Sequence, residues 1–331
     1  LEPFVPFFRN PHLATIAGNF WRRTLDEQRF PVQERFFQTE PNVQILVHSQ
    51  RPESPPKAEL IVVHGLEGSS QAGYAKSLAQ KALEVGYAVH RFNMRSCGGT
   101  EAVSGNTLYH SGQTSDVLSV ARQLLREGAA PIYLAGFSLG GNVVLKLAGE
   151  LGTSGEPAIA GVCATSTPID LAACVRKLKH PSNFIYADRF VGRLKERIAL
   201  KERLTPGSFN LDDLQRVRSV YEFDDVFTAR SFGFGSADRY YATQSANQFL
   251  KDIRVPCLVI HAKDDPLIPF EVYDVPALRE NPWIRFVPVE HGGHLGFVSQ
   301  KKPRFWLDGV IVEWLEGITA ERTTAEPQSR R

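Results

Sequence analysis

The sequence offers little from which to build a disulfide framework. Four cysteines (Cys97, Cys163, Cys174 and Cys257) are scattered through 331 residues with no C-x-x-C pair, which points to a reducing compartment. No run approaches 18 apolar residues, so no transmembrane helix is expected. The N-terminal stretch LEPFVPFFRNPHLATIAG lacks the basic start and continuous apolar segment of a signal peptide. A cytoplasmic protein is the expectation, although the start at Leu1 rather than Met leaves room for a trimmed upstream piece. An excess of one charge is also missing. At a net +2, the overall balance argues for neither nucleic acid nor a strongly anionic partner. The helical H-E-x-x-H of zinc proteases is absent as well. His291, His294, Asp264 and Asp265 are ligand types, but H-x-x-H here spans two glycines on a loop. Neither a metal nor a cofactor is expected.

What remains is ordinary globular composition, 43% hydrophobic and 22% charged, with strand-like and helix-like segments in alternation. ELIVVH at 59–64, Tyr87–Phe92, Ile132–Ala135, Ala158–Ala164, Pro256–His261 and Ile284–Val289 read as strands, and Gln44–His48 as a further early one. Helical spacing fills Ala72–Glu84, Gln113–Arg126, Asn142–Leu151 and Phe305–Leu315. This order predicts an α/β fold: a mostly parallel central sheet with helices on both faces. The alternation breaks between Pro168 and Lys251, where the chain is helix-like, charged and aromatic. We expect an α/β core over 1–167 and 252–318, a helical cap or lid over 168–251 and a disordered polar tail over 319–331. From Asp170 to Val220 eleven Lys or Arg face six Asp or Glu. That excess reads first as a solvated helical face, and second as a rim attracting anionic substrates. Phe223, Phe227, Phe232 and Phe234 are expected to pack the cap onto the core, with some lining an acyl pocket.

The chemistry centres on Gly136-Phe137-Ser138-Leu139-Gly140. By composition alone, G-x-S-x-G arises by chance in about one chain in ten of this length. Its context is more specific: a buried strand before it and a helix after it form the strand–turn–helix that presents a nucleophilic serine. A serine hydroxyl needs a base within reach and a third group to orient that base. In sheets of this type the chain order is serine, acid, histidine. Among the downstream histidines, His180 lies in the inserted block and His261 ends a strand. His291 and His294 share the loop EHGGHLGF after the last strand. His294 is the preferred base, because Gly292 and Gly293 free its backbone, and His291 is the second choice. The acid belongs in HAKDDPLIP. Asp265, directly before Pro266, is preferred over Asp264, with Asp170 a remote alternative. The oxyanion donors are expected to be the backbone N–H groups of Leu139 and of Leu66, in the His64-Gly65-Leu66-Glu67-Gly68 loop. His64 is read as ordering that loop rather than performing chemistry.

With these parts in place, the chain resembles the α/β-hydrolases, and more narrowly the YheT-type branch with its eukaryotic α/β-hydrolase-domain relatives. The match is carried by Asn10-Pro11-His12-Leu13 with Thr15-Ile16, HGLEGSS at 64–70, NMRSCGGT at 93–100 and GFSLGGN at 136–142. YYATQSA at 240–246, KDDPLIP at 263–269 and HGGHLGF at 291–297 complete it. Relatives often have R-G where this chain has Arg95-Ser96. The resemblance implies Ser138 as nucleophile, Asp265 as acid and His294 as base, in the hydrolysis of carboxylic esters through an acyl-enzyme, with a small-molecule ester as partner. Eukaryotic relatives often act on lipids and usually carry an N-terminal membrane anchor. Thioesterase, acyltransferase or lipase-type activity would share the same residues, and a non-catalytic binding protein on the same scaffold is the remaining alternative.

Overall fold

The computed structural model describes residues 3–129 and 131–325. Helix α1 (Pro11–Phe20) precedes β1 (Gln33–Glu40), β2 (Val43–Gln50), β3 (Ala58–Val63), α2 (Gly73–Glu84), β4 (Tyr87–Phe92), α3 (Thr114–Arg126), β5 (Ile132–Phe137), α4 (Leu139–Ser154) and β6 (Gly161–Thr165). The eight strands form one sheet in the order β1-β2-β4-β3-β5-β6-β7-β8, where β7 is Cys257–Ala262 and β8 is Ile284–Val289. β2 pairs antiparallel with both β1 and β4, and every pairing from β3–β4 to β7–β8 is parallel.

Parallel strands between two helical layers have no solvent face, so they read as near-continuous apolar runs, although β3 and β4 also bury Glu59, His90 and Arg91. All six residues of β3 and all six of β5 are buried. Their side chains still alternate between the layers. Ile61 and Val63 pack with Val117, Val120, Val143 and Leu147 of α3 and α4. Leu60 and Val62 pack instead with Leu78 and Ala82 of α2 and with Ile311 of α11 (Trp306–Ala325). Strand β1 escaped the sequence reading because QERFFQTE buries only Phe37, as suits an edge strand with little apolar alternation.

Between β6 and β7, residues 168–251 contain no strand. They supply α5 (Leu171–Leu178), α6 (Phe184–Leu204), α7 (Val220–Phe223), a π-helical turn (Asp224–Thr228), α8 (Ala229–Ser231) and α9 (Ala237–Gln244). Phe223 and Phe227 join Val191, Leu194, Ile198 and Val217 of the block in a cluster that also takes in Leu108 and Leu66 from outside it. Those two phenylalanines therefore pack the block against the rest of the molecule. Phe232 and Phe234 reach outward, their rings 4.5 and 5.2 Å from that of His110. Two of the block's cations are anchors rather than solvated charges. Lys201 donates to the Glu101 and Gly105 carbonyls, and Arg197 pairs with Glu67.

A short 3-10 turn (Phe270–Tyr273) and α10 (Pro276–Glu280) lie between β7 and β8, and α11 ends the described chain. A disordered tail was expected from Thr319. Instead α11 runs on to Ala325, with Thr319 donating to the Leu315 carbonyl and bonded to Tyr87, so the amphipathic helix outlasts its polar composition. Residues 326–331 of that expected tail lie outside the described residues. All four cysteines are buried free thiols. Among the described residues no helix is long and apolar enough to cross a membrane, and no group of three or more His, Cys, Asp or Glu could hold a metal ion.

Candidate active site

The turn from β5 into α4 is tight enough to exclude side chains on both flanks of Ser138. A Cβ on Gly136 would sit 2.3 Å from the Gly140 carbonyl oxygen, and one on Gly140 would sit 2.4 Å from that of Val63. Ser138 adopts φ 53°, ψ −122°, in the positive-φ region that ordinary side chains avoid. Such strain persists only where the surroundings enforce it, and it is common at functional sites. Here β5, α4 and the 64–68 loop enforce it, and the serine hydroxyl is left clear of the backbone.

His294 approaches from the loop after β8. Its Nε2 lies 3.0 Å from Ser138 Oγ, and its Nδ1 lies 2.8 Å from Asp265 Oδ2. Asp265, on the loop after β7, is fixed by the N–H groups of Leu267 (2.8 Å) and Ile268 (3.1 Å), which both donate to Oδ1. Burial pushes its carboxyl upward, but the facing His294, its hydrogen bond, His261 and the Leu267 N–H outweigh burial and hold it below the usual carboxylate range. The three residues preferred from the sequence thus meet in one hydrogen-bonded line. Their alternatives meet elsewhere. His291 pairs with Asp264 at 3.1 Å, and Asp264 also accepts the Gly293 N–H at 2.9 Å, so this pair braces the histidine loop. Asp170 caps α5, and His180 caps the short turn at Pro181–Asn183. His261 stacks on Tyr273 with ring centroids 4.3 Å apart, and burial pushes its imidazole down to about 4.

The 64–68 loop lies directly against the serine, since a Cβ on Gly65 would come within 3.0 Å of Ser138 Cβ. His64 sets the loop. Its Nε2 accepts the Met94 N–H (3.1 Å), which leaves the proton on Nδ1 to donate to the Gly65 carbonyl (2.7 Å). Burial lowers His64 to about 4 and keeps it neutral in that role. The N–H groups on either side of Leu66 are spent: Gly65 donates to Tyr74 Oη and Glu67 to Tyr109 Oη, both at 2.9 Å. Those of Leu66 and Leu139 have no acceptor among the described residues, and both residues line the cavity beside Ser138.

That cavity, about 110 Å³, lies between the C-terminal ends of the strands and the inserted block. Its walls are mostly apolar, including Leu171, Val175, Leu178, Phe190, Leu194 and Phe223. A polar patch also borders it: Asp224, in the π-helical turn, accepts from Tyr241 Oη (2.6 Å) and Thr228 Oγ1 (2.7 Å).

Two contributors had no reading in the sequence. Thr15 of α1 accepts the His294 backbone N–H at 2.8 Å while donating to the Pro11 carbonyl at 2.7 Å. Gly18 of the same helix packs on Gly296, where a Cβ would lie 2.5 Å from the Gly296 Cα. The only trace of this in the sequence is the N-P-H-L-x-T-I stretch, whose Asn10 caps α1 and whose Pro11 opens it. The second contributor is Glu67, which binds Arg197 of α6 through both carboxylate oxygens.

The model for the α/β hydrolase fold family matches residues 59–300. YheT of Escherichia coli (strain K12), a protein that carries the name of a proposed esterase, is 35% identical over 320 residues, 94% of this chain and 92% of its own. The phospholipase ABHD3 of Mus musculus is 28% identical over 78% of this chain, which spans 63% of that relative's length. Among solved structures, the Pyrococcus furiosus esterase Pf2001 superposes with a TM-score of 0.59 at 17% identity, covering 89% of this chain and 98% of that one.

Proposed function

The chain belongs to the α/β-hydrolase family, in its YheT-type branch, and on that footing we propose that it is a serine hydrolase of carboxylic esters. The observation that carries the reading is the line Ser138–His294–Asp265, with its 3.0 and 2.8 Å hydrogen bonds, at the wall of an apolar cavity. Relatives named as an esterase by proposal, a phospholipase and a monoacylglycerol lipase support an ester as the bond cleaved.

His294 Nε2 takes the Ser138 proton as Oγ attacks the ester carbonyl carbon. The carbonyl π pair moves onto oxygen, where the N–H groups of Leu66 and Leu139 face the developing charge. When the tetrahedral intermediate collapses, the C–O bond to the alcohol breaks. His294 gives that alcohol its proton, leaving Ser138 acylated. Water then attacks the acyl-enzyme, His294 accepts a proton from it, and collapse returns that proton to Ser138 Oγ as the acid departs. Asp265 holds the Nδ1–H tautomer and stabilises the imidazolium. The inserted block 168–251 acts as a cap, its apolar lining receiving the acyl chain.

The test pairs a fluorophosphonate label with a chain-length series of activated esters and thioesters. Wild-type protein is expected to label and to turn over esters. Ser138→Ala is expected to lose the label and most of the turnover, by several orders of magnitude. Wild-type protein that neither labels nor cleaves any ester would sink the proposal, and preference for thioesters would move it to that bond.

A further inference from the structure

Helix α1 presents its inner face to the histidine loop: Ala14, Thr15 and Gly18 are buried. Its outer face carries Leu13, Ile16 and Phe20, spaced as one helical stripe and exposed by 54, 44 and 70%. The start of α6 continues the stripe with Phe184 and Ile185, exposed by 67 and 62%. Two contacts hold the helices side by side: His12 stacks on Tyr186 with a 3.2 Å Nδ1–Oη bond, and the Arg189 guanidinium lies 5.9 Å from the Phe20 ring. At the end of α1, Arg304 sits over the rings of both Phe7 and Trp21. Large apolar side chains, aromatics at the margin and interleaved guanidinium groups therefore occupy one surface. Isolated exposed leucines are unremarkable, but a contiguous patch with a polar rim marks an interaction site.

Charge identifies the partner. Residues 3–22 and 176–196 hold eight lysines and arginines against two acids, Asp188 and Glu196. Arg9, Arg22, Arg176, Lys177, Lys179 and Arg189 are exposed. Two copies meeting face to face across a two-fold axis would oppose these cations to one another. A lipid surface bearing negative headgroups would accept the apolar side chains and the cations together. We propose that the outer faces of α1 and the start of α6 dock this protein onto anionic membranes. Docking there would bring the lipid surface against the helix whose inner side holds His294.

The experiment floats the full chain with phosphatidylcholine vesicles, with and without about 30% phosphatidylglycerol. The wild type is compared with Phe20→Glu/Phe184→Glu and with Arg189→Glu, while turnover of a water-soluble short ester and circular dichroism report that each variant is folded. The expected result is flotation with the anionic vesicles alone, weakened by raising salt. Affinity should fall at least ~10-fold in the double variant, since each buried phenylalanine lost weakens binding. It should fall in Arg189→Glu as well, with soluble-ester turnover unchanged in both variants. Flotation with neither vesicle, equal binding to both, or undiminished binding by the double variant would overturn the proposal. So would a wild-type dimer that the double variant converts to monomer, since a second copy would then own the surface. Flotation, circular dichroism and oligomeric state do not depend on the hydrolase reading, so this proposal can fail or stand apart from it.

Discussion

Glu67 and Arg197 meet through two hydrogen bonds of 2.7 Å, joining the loop beside Ser138 to the long helix of the inserted block. Glu67 holds a φ of 54° and is gripped further by the Tyr109 hydroxyl at 2.8 Å and by Arg193, which donates to its carbonyl at 3.1 Å. Both members of the pair are largely buried. Removing one strands the other's charge, which costs about 3–5 kcal/mol. Arg197→Ala should therefore lower stability by an amount of that order and reduce kcat more than KM, because the Leu66 N–H loses its support. Arg197→Met combined with Glu67→Gln should be less destabilised than the two single changes summed, and thermal melts of the four proteins measure the difference.

Asp265→Asn tests the orientation of the imidazole. The amide can still accept the Leu267 and Ile268 N–H groups through its oxygen, so the fold should survive. Its NH2 would then donate to His294 Nδ1 and leave the proton on Nε2, facing Ser138. On the proposed mechanism, kcat should drop by about 10⁴ with little change in melting temperature. Near-normal turnover would remove Asp265 from the mechanism.

Thr15→Val leaves the part-buried His294 N–H without its acceptor. An orphaned donor of this kind costs about 1–3 kcal/mol. A matching loss is expected in kcat, roughly 10-fold, as the histidine loop relaxes. Thr15→Ser keeps the oxygen and should restore most of the rate, which a purely packing role for the threonine would not permit.

Asp224 sets a pH signature. Burial raises its carboxyl to about 6, against the lowering effect of Tyr241 and Thr228. A folded value above the unfolded one means that the folded state binds the extra proton. Stability should accordingly fall as pH rises from about 4 through about 6, by roughly 3 kcal/mol. Asp224→Asn mimics the protonated form and should abolish that slope. The melting-temperature advantage of Asn over Asp should be near zero at low pH and grow towards neutrality. A constant difference across the range would contradict the buried-carboxyl account.

The central sheet was legible because each buried strand is a short apolar run bounded by helical spacing, as in ELIVVH and PCLVIH. Ser138 was legible through its glycines, whose absent Cβ atoms are what permit the turn against Val63 and Gly140. His294 could be preferred over His291 only through the backbone freedom given by Gly292 and Gly293, and the structure shows the physical difference between them: His291 is taken up by Asp264. Thr15, Glu67 and Asp224 could not be read, since each acts through a partner more than a dozen residues away in sequence. Thr15 lies 279 residues from His294, and Glu67 lies 130 from Arg197. Local spacing carries no record of such pairings. Strand β1 was hidden differently, because an edge strand with one buried side chain has almost no periodicity to detect.

The bond between Thr15 and His294 ties together two segments 279 residues apart. A growing polypeptide synthesised from its N-terminus exposes α1 long before the histidine loop exists to cover its inner face. The contact closes a loop of 279 residues, and contacts of such separation form late because their entropy must be met first. Most of the sheet can therefore assemble while His294 is still unsupported. On this topology, acquisition of turnover during refolding should lag behind the recovery of secondary structure, so hydrolytic competence would mark the final closure of the polypeptide on itself.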